Sequence, residues 1–93
     1  MALEFEWGET KAISNLSKHG IPFDEASTVF DDTLLITVFD DKHSDDEDRF
    51  ITIGRSKTSK LLIVAHVERD GKTRIISARA ATKHEENFYV QSQ

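Results

Sequence analysis

Leu3-Glu4-Phe5-Glu6-Trp7 alternates apolar with acidic side chains, the period of a strand with one buried face. Gly8 breaks the alternation. From Thr10 to His19 the spacing becomes helical: Ala12, Ile13 and Leu16 form a narrow apolar stripe beside a polar face of Lys11, Asn15 and Lys18. Gly20 then ends the helix. Pro22 suits the start of a second short helix, in which Phe23, Ala26 and Phe30 recur at helical spacing and Asp31-Asp32 closes the run. Residues 34–39, aliphatic and β-favouring, read as a strand, and the polar segment 40–48 as a loop. Three more strands are expected over residues 49–56, 60–69 and 72–80, the last two joined at Asp70-Gly71, a tight-hairpin pair. Thr82-Lys83-His84-Glu85 is a capping box that opens a helix running past Tyr89. The order β-α-α-β-β-β-β-α predicts an α+β fold. It has a four-stranded antiparallel sheet plus an N-terminal strand, with two N-terminal helices and one C-terminal helix packed on one face.

Ninety-three residues at 38% hydrophobic content make one small domain spanning 1–93, too apolar for a disordered chain. The absence of cysteine rules out disulfides and thiolate metal sites. No apolar run approaches the ~20 residues of a membrane-spanning helix, and the start, Met1 to Trp7, lacks the features of a secretory signal, so a cytoplasmic protein without membrane contact is expected. The histidines His19, His43, His66 and His84 have no metal-ligand spacing, and no metal or cofactor is called for. His66, among Leu62 and Val64, is expected to be a packing residue. Nucleophile elbows, glycine-rich phosphate loops and helix-turn-helix signals are absent too, which disfavours hydrolase triads, nucleotidases and direct operator readers.

Charge is what gives the chain a direction. Its net value of -5 hides a split: residues 1–39 and residues 40–48 each carry -5, whereas residues 49–93 carry +5. The basic part contains Arg74-Ile75-Ile76-Ser77-Ala78-Arg79, an apolar strand with an arginine near each end. Planar, permanently charged guanidinium groups suit phosphate and carboxylate, so an anion, above all a phosphate, is the expected ligand. Strict alternation sets Arg74 and Arg79 on opposite faces, so that either a bulge re-aims one of them or one projects from the strand's end. Arg79, beside the helix start, is favoured as the site residue. Arg49 opens another strand on the face of Ile51, Ile53 and Arg55, with Glu47 two residues earlier. Lys18-His19 joins a fixed cation to an imidazole at a helix C-terminus, and Tyr89, expected with Phe88 to dock the last helix, also has a hydroxyl able to reach a phosphate.

Taken in order, Phe5-Glu6-Trp7, Lys11, Asn15, Lys18-His19-Gly20, Phe23-x-x-Ala26, Phe30-Asp31-Asp32, Glu47-x-Arg49, Gly54, Arg74-Ile75-Ile76-Ser77-Ala78-Arg79 and Glu85-x-x-x-Tyr89 resemble the BrnT toxin family. The Lys-His-Gly and Arg-x-Ile-Ser-Ala-Arg runs are the most telling part. The resemblance spans nearly the whole chain. It implies a RelE-like fold and the toxin of a type II toxin–antitoxin system: a metal-independent ribonuclease, with no cofactor, that slows translation. It implies as partners an RNA substrate and a DNA-binding, BrnA-like antitoxin that neutralises the toxin in a hetero-oligomer. Carried over by motif position, Arg49 and Arg79 would bind and stabilise the phosphate with Arg74 in support. Lys18 or His19 would move protons, Glu47 would hold an arginine or act as base, and Lys11 and Tyr89 would contact RNA. The chain departs from the family in Trp7-Gly8-Glu9 for the usual Trp-Asp-Pro, in Glu86 for the usual Arg after Glu85, and in the strongly acidic 40–48 loop. The last two point to an alternative: a catalytically weak module that acts as antitoxin partner and co-repressor.

Overall fold

The computed structural model describes residues 3–93. One five-stranded sheet, in the order β1-β5-β4-β3-β2, forms the middle layer. Its strands are β1 (Phe5–Glu6), β2 (Ile36–Phe39), β3 (Arg49–Arg55), β4 (Leu61–Arg69) and β5 (Lys72–Ala80). The four later strands pair antiparallel, and the two-residue β1 adds parallel to β5, with Glu6 beside Arg74. The hairpin at Asp70-Gly71 forms as expected: both residues take positive φ (54° and 78°), the conformation an Asp-Gly tight turn requires.

The three helices are α1 (Glu9–His19), α2 (Phe23–Ser27) and α3 (Lys83–Gln91), and a 3-10 turn over Thr28–Asp31 extends α2. They do not all lie on one face. Ile21, Phe23, Ala26 and Val29 pack with Leu62, Val64, Ile75 and Ala78 on one side of the sheet, whereas Tyr89 of α3 packs with Ile53, Leu61 and Ile63 on the other. The reason lies in β4: Leu61 to Val67 is buried at every position. An unbroken apolar strand has two faces to cover, and helices on one side cover only one. The capping box at Thr82 forms in both directions, fixing where α3 leaves β5.

Helix α1 is rotated from the expected orientation. Ile13 and Leu16 of the apolar stripe stand 63% and 50% exposed, while Asn15 is buried. Its amide donates to the carbonyls of Ile21 (3.0 Å) and Ala78 (2.9 Å) and accepts from the Ala78 N–H (3.0 Å). Among the described residues no strand pairs with the outer edge of β5 beyond Arg74, so Asn15 satisfies edge groups that would otherwise be buried without partners. Gly20, at φ 72°, ends α1 as expected. His66 is the expected packing residue: buried between Phe30 and Phe50, it is bonded through Nε2 to the Thr52 hydroxyl at 2.8 Å. No helix is long and apolar enough to cross a membrane among the described residues.

Candidate active site

A β-bulge decides which arginines meet. The β4–β5 register runs Ala65↔Ser77 and then His66↔Ile75, so Ile76 is the extra residue of β5. Past that point the alternation flips, and Arg74 comes to lie opposite Val67. Arg49 of β3 lies opposite the same Val67 from the other side. The two arginines therefore flank one residue in a single row across three strands, on one face, about 10 Å apart at the backbone. Arg69 lies two residues beyond Val67 on that face. Arg79, also on that face because of the bulge, pairs with Ile63, four residues or about 13 Å along β4.

The row of Arg49 and Arg74 floors a cleft of about 460 Å³ beside the 40–48 loop. Cations come from Arg49, Arg69, Arg74, Lys11 and Lys42, with His43 among them; Asp45, Asp46 and Glu47 face them from the loop. Each arginine is held. Arg74 donates to Glu6 at 3.1 Å, and Gly8 leaves it room, since a Cβ there would come within 3.2 Å of its Nη2. Arg69 pairs with Glu47. Arg49 has Asp40 3.9 Å from its Nε, which is buried and has no hydrogen-bond partner among the described residues. The Arg49 side chain is 28% exposed and lines the cleft, so its guanidinium group can meet an incoming acceptor oxygen.

The expected site residues do not all meet in this cleft. Glu47 lies in the cleft and holds an arginine, Arg69 rather than the neighbouring Arg49, because the loop carries it across to the end of β4. Arg79 does not line the cleft. It forms a two-pronged pair with Glu85, both bonds 2.8 Å, tying β5 to the first turn of α3. Tyr89 is buried and donates its hydroxyl to Asp32 at 2.6 Å, beneath the Arg55 guanidinium. Asp32 also accepts from the backbone N–H groups of Leu34 and Arg55, so Tyr89 clamps α3 to the turn before β2. Lys18 and His19 sit in a smaller cleft of about 150 Å³ with Ser14 and Ser77, which meets the larger one at Lys11 and Ile76. Arg69, Lys42, His43 and Glu6 were not singled out by the sequence. Arg69 had a usable signal in its parity with Val67, whereas the others depend on where the loop and β1 fold back.

The Glu85 carboxyl is pulled down to about 2 from 4.5, chiefly by the Arg79 hydrogen bonds. A depressed folded value means stabilisation that is complete above pH 4.5 and is lost as the pH falls through about 2. The partner guanidinium is 41% exposed, so solvent screening reduces the effect to about 1–2 kcal/mol. Glu85→Gln should therefore destabilise the protein by about that much at pH 7. In urea titrations the deficit should shrink between pH 4.5 and 2. A deficit independent of pH would assign the loss to the capping box alone.

Comparison with known proteins places the chain in a family. The family model for the ribonuclease toxin BrnT of type II toxin–antitoxin systems matches residues 7–85. Comparison with curated proteins by sequence gives no match. Among solved structures, the Brucella abortus ribonuclease toxin BrnT, a crystal structure at 1.1 Å resolution, superposes with a TM-score of 0.64. That alignment covers 88% of this chain and 100% of the Brucella chain at 20% identity, a likeness of fold. With the family model spanning most of its length, the chain belongs to the BrnT family of type II ribonuclease toxins.

Proposed function

We propose that this chain is a metal-independent endoribonuclease that cuts single-stranded RNA in the cleft between the 40–48 loop and the Arg49–Arg74 row. The reading rests on one observation above all: two arginines in register around Val67 converge on a concave surface. In this reading the scissile phosphate lies between Arg49 and Arg74. The ribose 2′-oxygen attacks phosphorus as its proton passes to the Glu47 carboxylate, and the bond to the 5′-oxygen breaks. Charge building on the phosphate oxygens meets guanidinium groups whose acidic partners already fix their direction, so little reorganisation is needed during the reaction. Lys11 stands where the two clefts meet and leads the strand toward Lys18 and His19. Arg79 and Tyr89 serve the site indirectly by docking α3. Family membership implies an antitoxin; we assign it to the BrnA-like, DNA-binding class, covering this cleft or its approaches.

The products provide the test. Purified protein in EDTA should convert a single-stranded oligoribonucleotide into fragments ending in a 2′,3′-cyclic phosphate and a 5′-hydroxyl, and its induction without antitoxin should arrest growth. RNA left intact would overturn the enzymatic reading. A second reading has its own observation: Asp45, Asp46 and Glu47 place three carboxylates on the wall the RNA would use. Intact RNA, together with an antitoxin whose operator affinity rises when this chain is added, would select the interaction module.

A further inference from the structure

His43 lies in the loop that closes the cleft, and the loop's base is tightly built. The Asp40 N–H donates to the Arg49 carbonyl at 2.8 Å, closing the loop end to end. The Ser44 hydroxyl bridges it, donating to the Asp40 carbonyl at 2.6 Å and accepting from the Arg49 N–H at 2.9 Å. The Asp40 side chain, only 11% exposed, lies between the His43 ring and Arg49. Nδ1 of His43 is 2.9 Å from Asp40 Oδ2. A carboxylate only accepts, so Nδ1 must be the donor, and Nε2 remains as the nitrogen with no partner among the described residues. A carboxylate fixing one nitrogen of an imidazole that lines a cationic cleft is an acid–base arrangement in which the third group orients the second.

Building on the ribonuclease reading of the cleft, we infer that His43 is the catalytic acid for the leaving group and that Asp40 is its positioning residue. The 2′-oxygen–phosphorus bond forms as Glu47 takes the 2′-proton. The phosphorus–5′-oxygen bond breaks as the proton on His43 Nε2 passes to that oxygen. The products are a cyclic phosphate, a 5′-hydroxyl, a protonated Glu47 and a neutral imidazole, and solvent exchange resets the pair. The division of labour is spatial: Asp40 and Arg49 are tied together at the loop base, so the acid and the phosphate-binding arginine are set by the same hydrogen bonds.

An RNA with sulfur in place of the leaving 5′-oxygen separates this role from others, because a thiolate departs without being protonated. His43→Ala should cut ordinary RNA about 10²–10³-fold more slowly than wild type, yet cut the sulfur substrate within about threefold of it. Asp40→Asn should show a smaller loss with the same recovery. Arg49→Ala should be slow on both substrates, since charge stabilisation is needed with either leaving group. The His43 side chain is 61% exposed, so its removal leaves packing intact, and recovery on sulfur would itself prove the variant folded. His43→Ala equally slow on both substrates, or as fast as wild type on ordinary RNA while Arg49→Ala is slow, overturns the assignment and spares the cleft. Wild-type protein inert toward both substrates overturns the cleft reading and this assignment together.

Discussion

Replacing Arg49 and Arg74 together with alanine is expected to lower single-turnover RNA cleavage by about three orders of magnitude, whereas Arg79→Ala keeps it within a few-fold. Removing one donor that meets developing charge costs about 10²–10³ in rate. Two groups acting on one phosphate are not additive, which keeps the expectation for the pair near the upper end of a single loss. The contrast with Arg79 follows from the bulge at Ile76: it puts Arg74 level with Arg49 around Val67 and leaves Arg79 at Ile63, tied to Glu85. Arg79→Ala should instead lower stability by about 1–2 kcal/mol through the freed end of α3. Arg49→Lys should recover only part of the activity, because an ammonium is a point charge without the planar fork. If Arg79→Ala alone abolishes cleavage in a protein that melts normally, the phosphate lies at the α3 end of the sheet and not in the cleft.

What the sequence made legible was local. Thr82-x-x-Glu85 caps α3, Asp70-Gly71 turns the hairpin and Gly20 closes α1, because each depends on a few neighbouring residues. What it hid was set by distant pairing. The spacing of Arg74 and Arg79 leaves a bulge as one of two alternatives, but nothing in Ile75-Ile76 locates it or shows that it moves Arg74 into the row with Arg49. The side taken by α3 was partly readable, since Leu61-Leu62-Ile63-Val64 is too evenly apolar for a one-sided sheet. Tyr89 reads as a docking or RNA-contacting residue, and nothing local foretells its bond to Asp32, 57 positions away in the chain. Glu47 and Arg49 are near in sequence, but a strand runs from one and a loop ends at the other, so Glu47 finds Arg69.

The charge map gains a physical meaning from the same contacts. Arg49, Arg69 and Arg74 face Asp40, Glu47 and Glu6, drawn from the acidic parts of the chain. Pairs this exposed contribute at most about 1 kcal/mol each to stability, so their main effect is directional. They hold flexible side chains in one geometry, and they lower the field that the cleft presents to RNA. An acidic protein with a cationic cleft is a consequence of that pairing.

Asn15→Leu, close to isosteric, is expected to be the most damaging single change in the helical layer. It would leave the Ala78 N–H and the carbonyls of Ala78 and Ile21 buried without partners. At about 1–3 kcal/mol per orphaned group, partly offset by the leucine's own burial, the net loss should be about 3–4 kcal/mol. For a domain of this size that corresponds to a melting temperature about 15–30 °C lower, a large share of the ~5–15 kcal/mol that keeps such proteins folded. The neighbouring Ile13→Asn and Leu16→Gln changes, on the exposed stripe, should stay within about 0.5 kcal/mol of wild type in the isolated protein. Paired thermal and urea denaturation of the three variants decides the matter. An Asn15→Leu protein that melts within a few degrees of wild type, or an Ile13→Asn protein that collapses, would mean that α1 packs on its apolar stripe and that the edge of β5 finds its partners elsewhere.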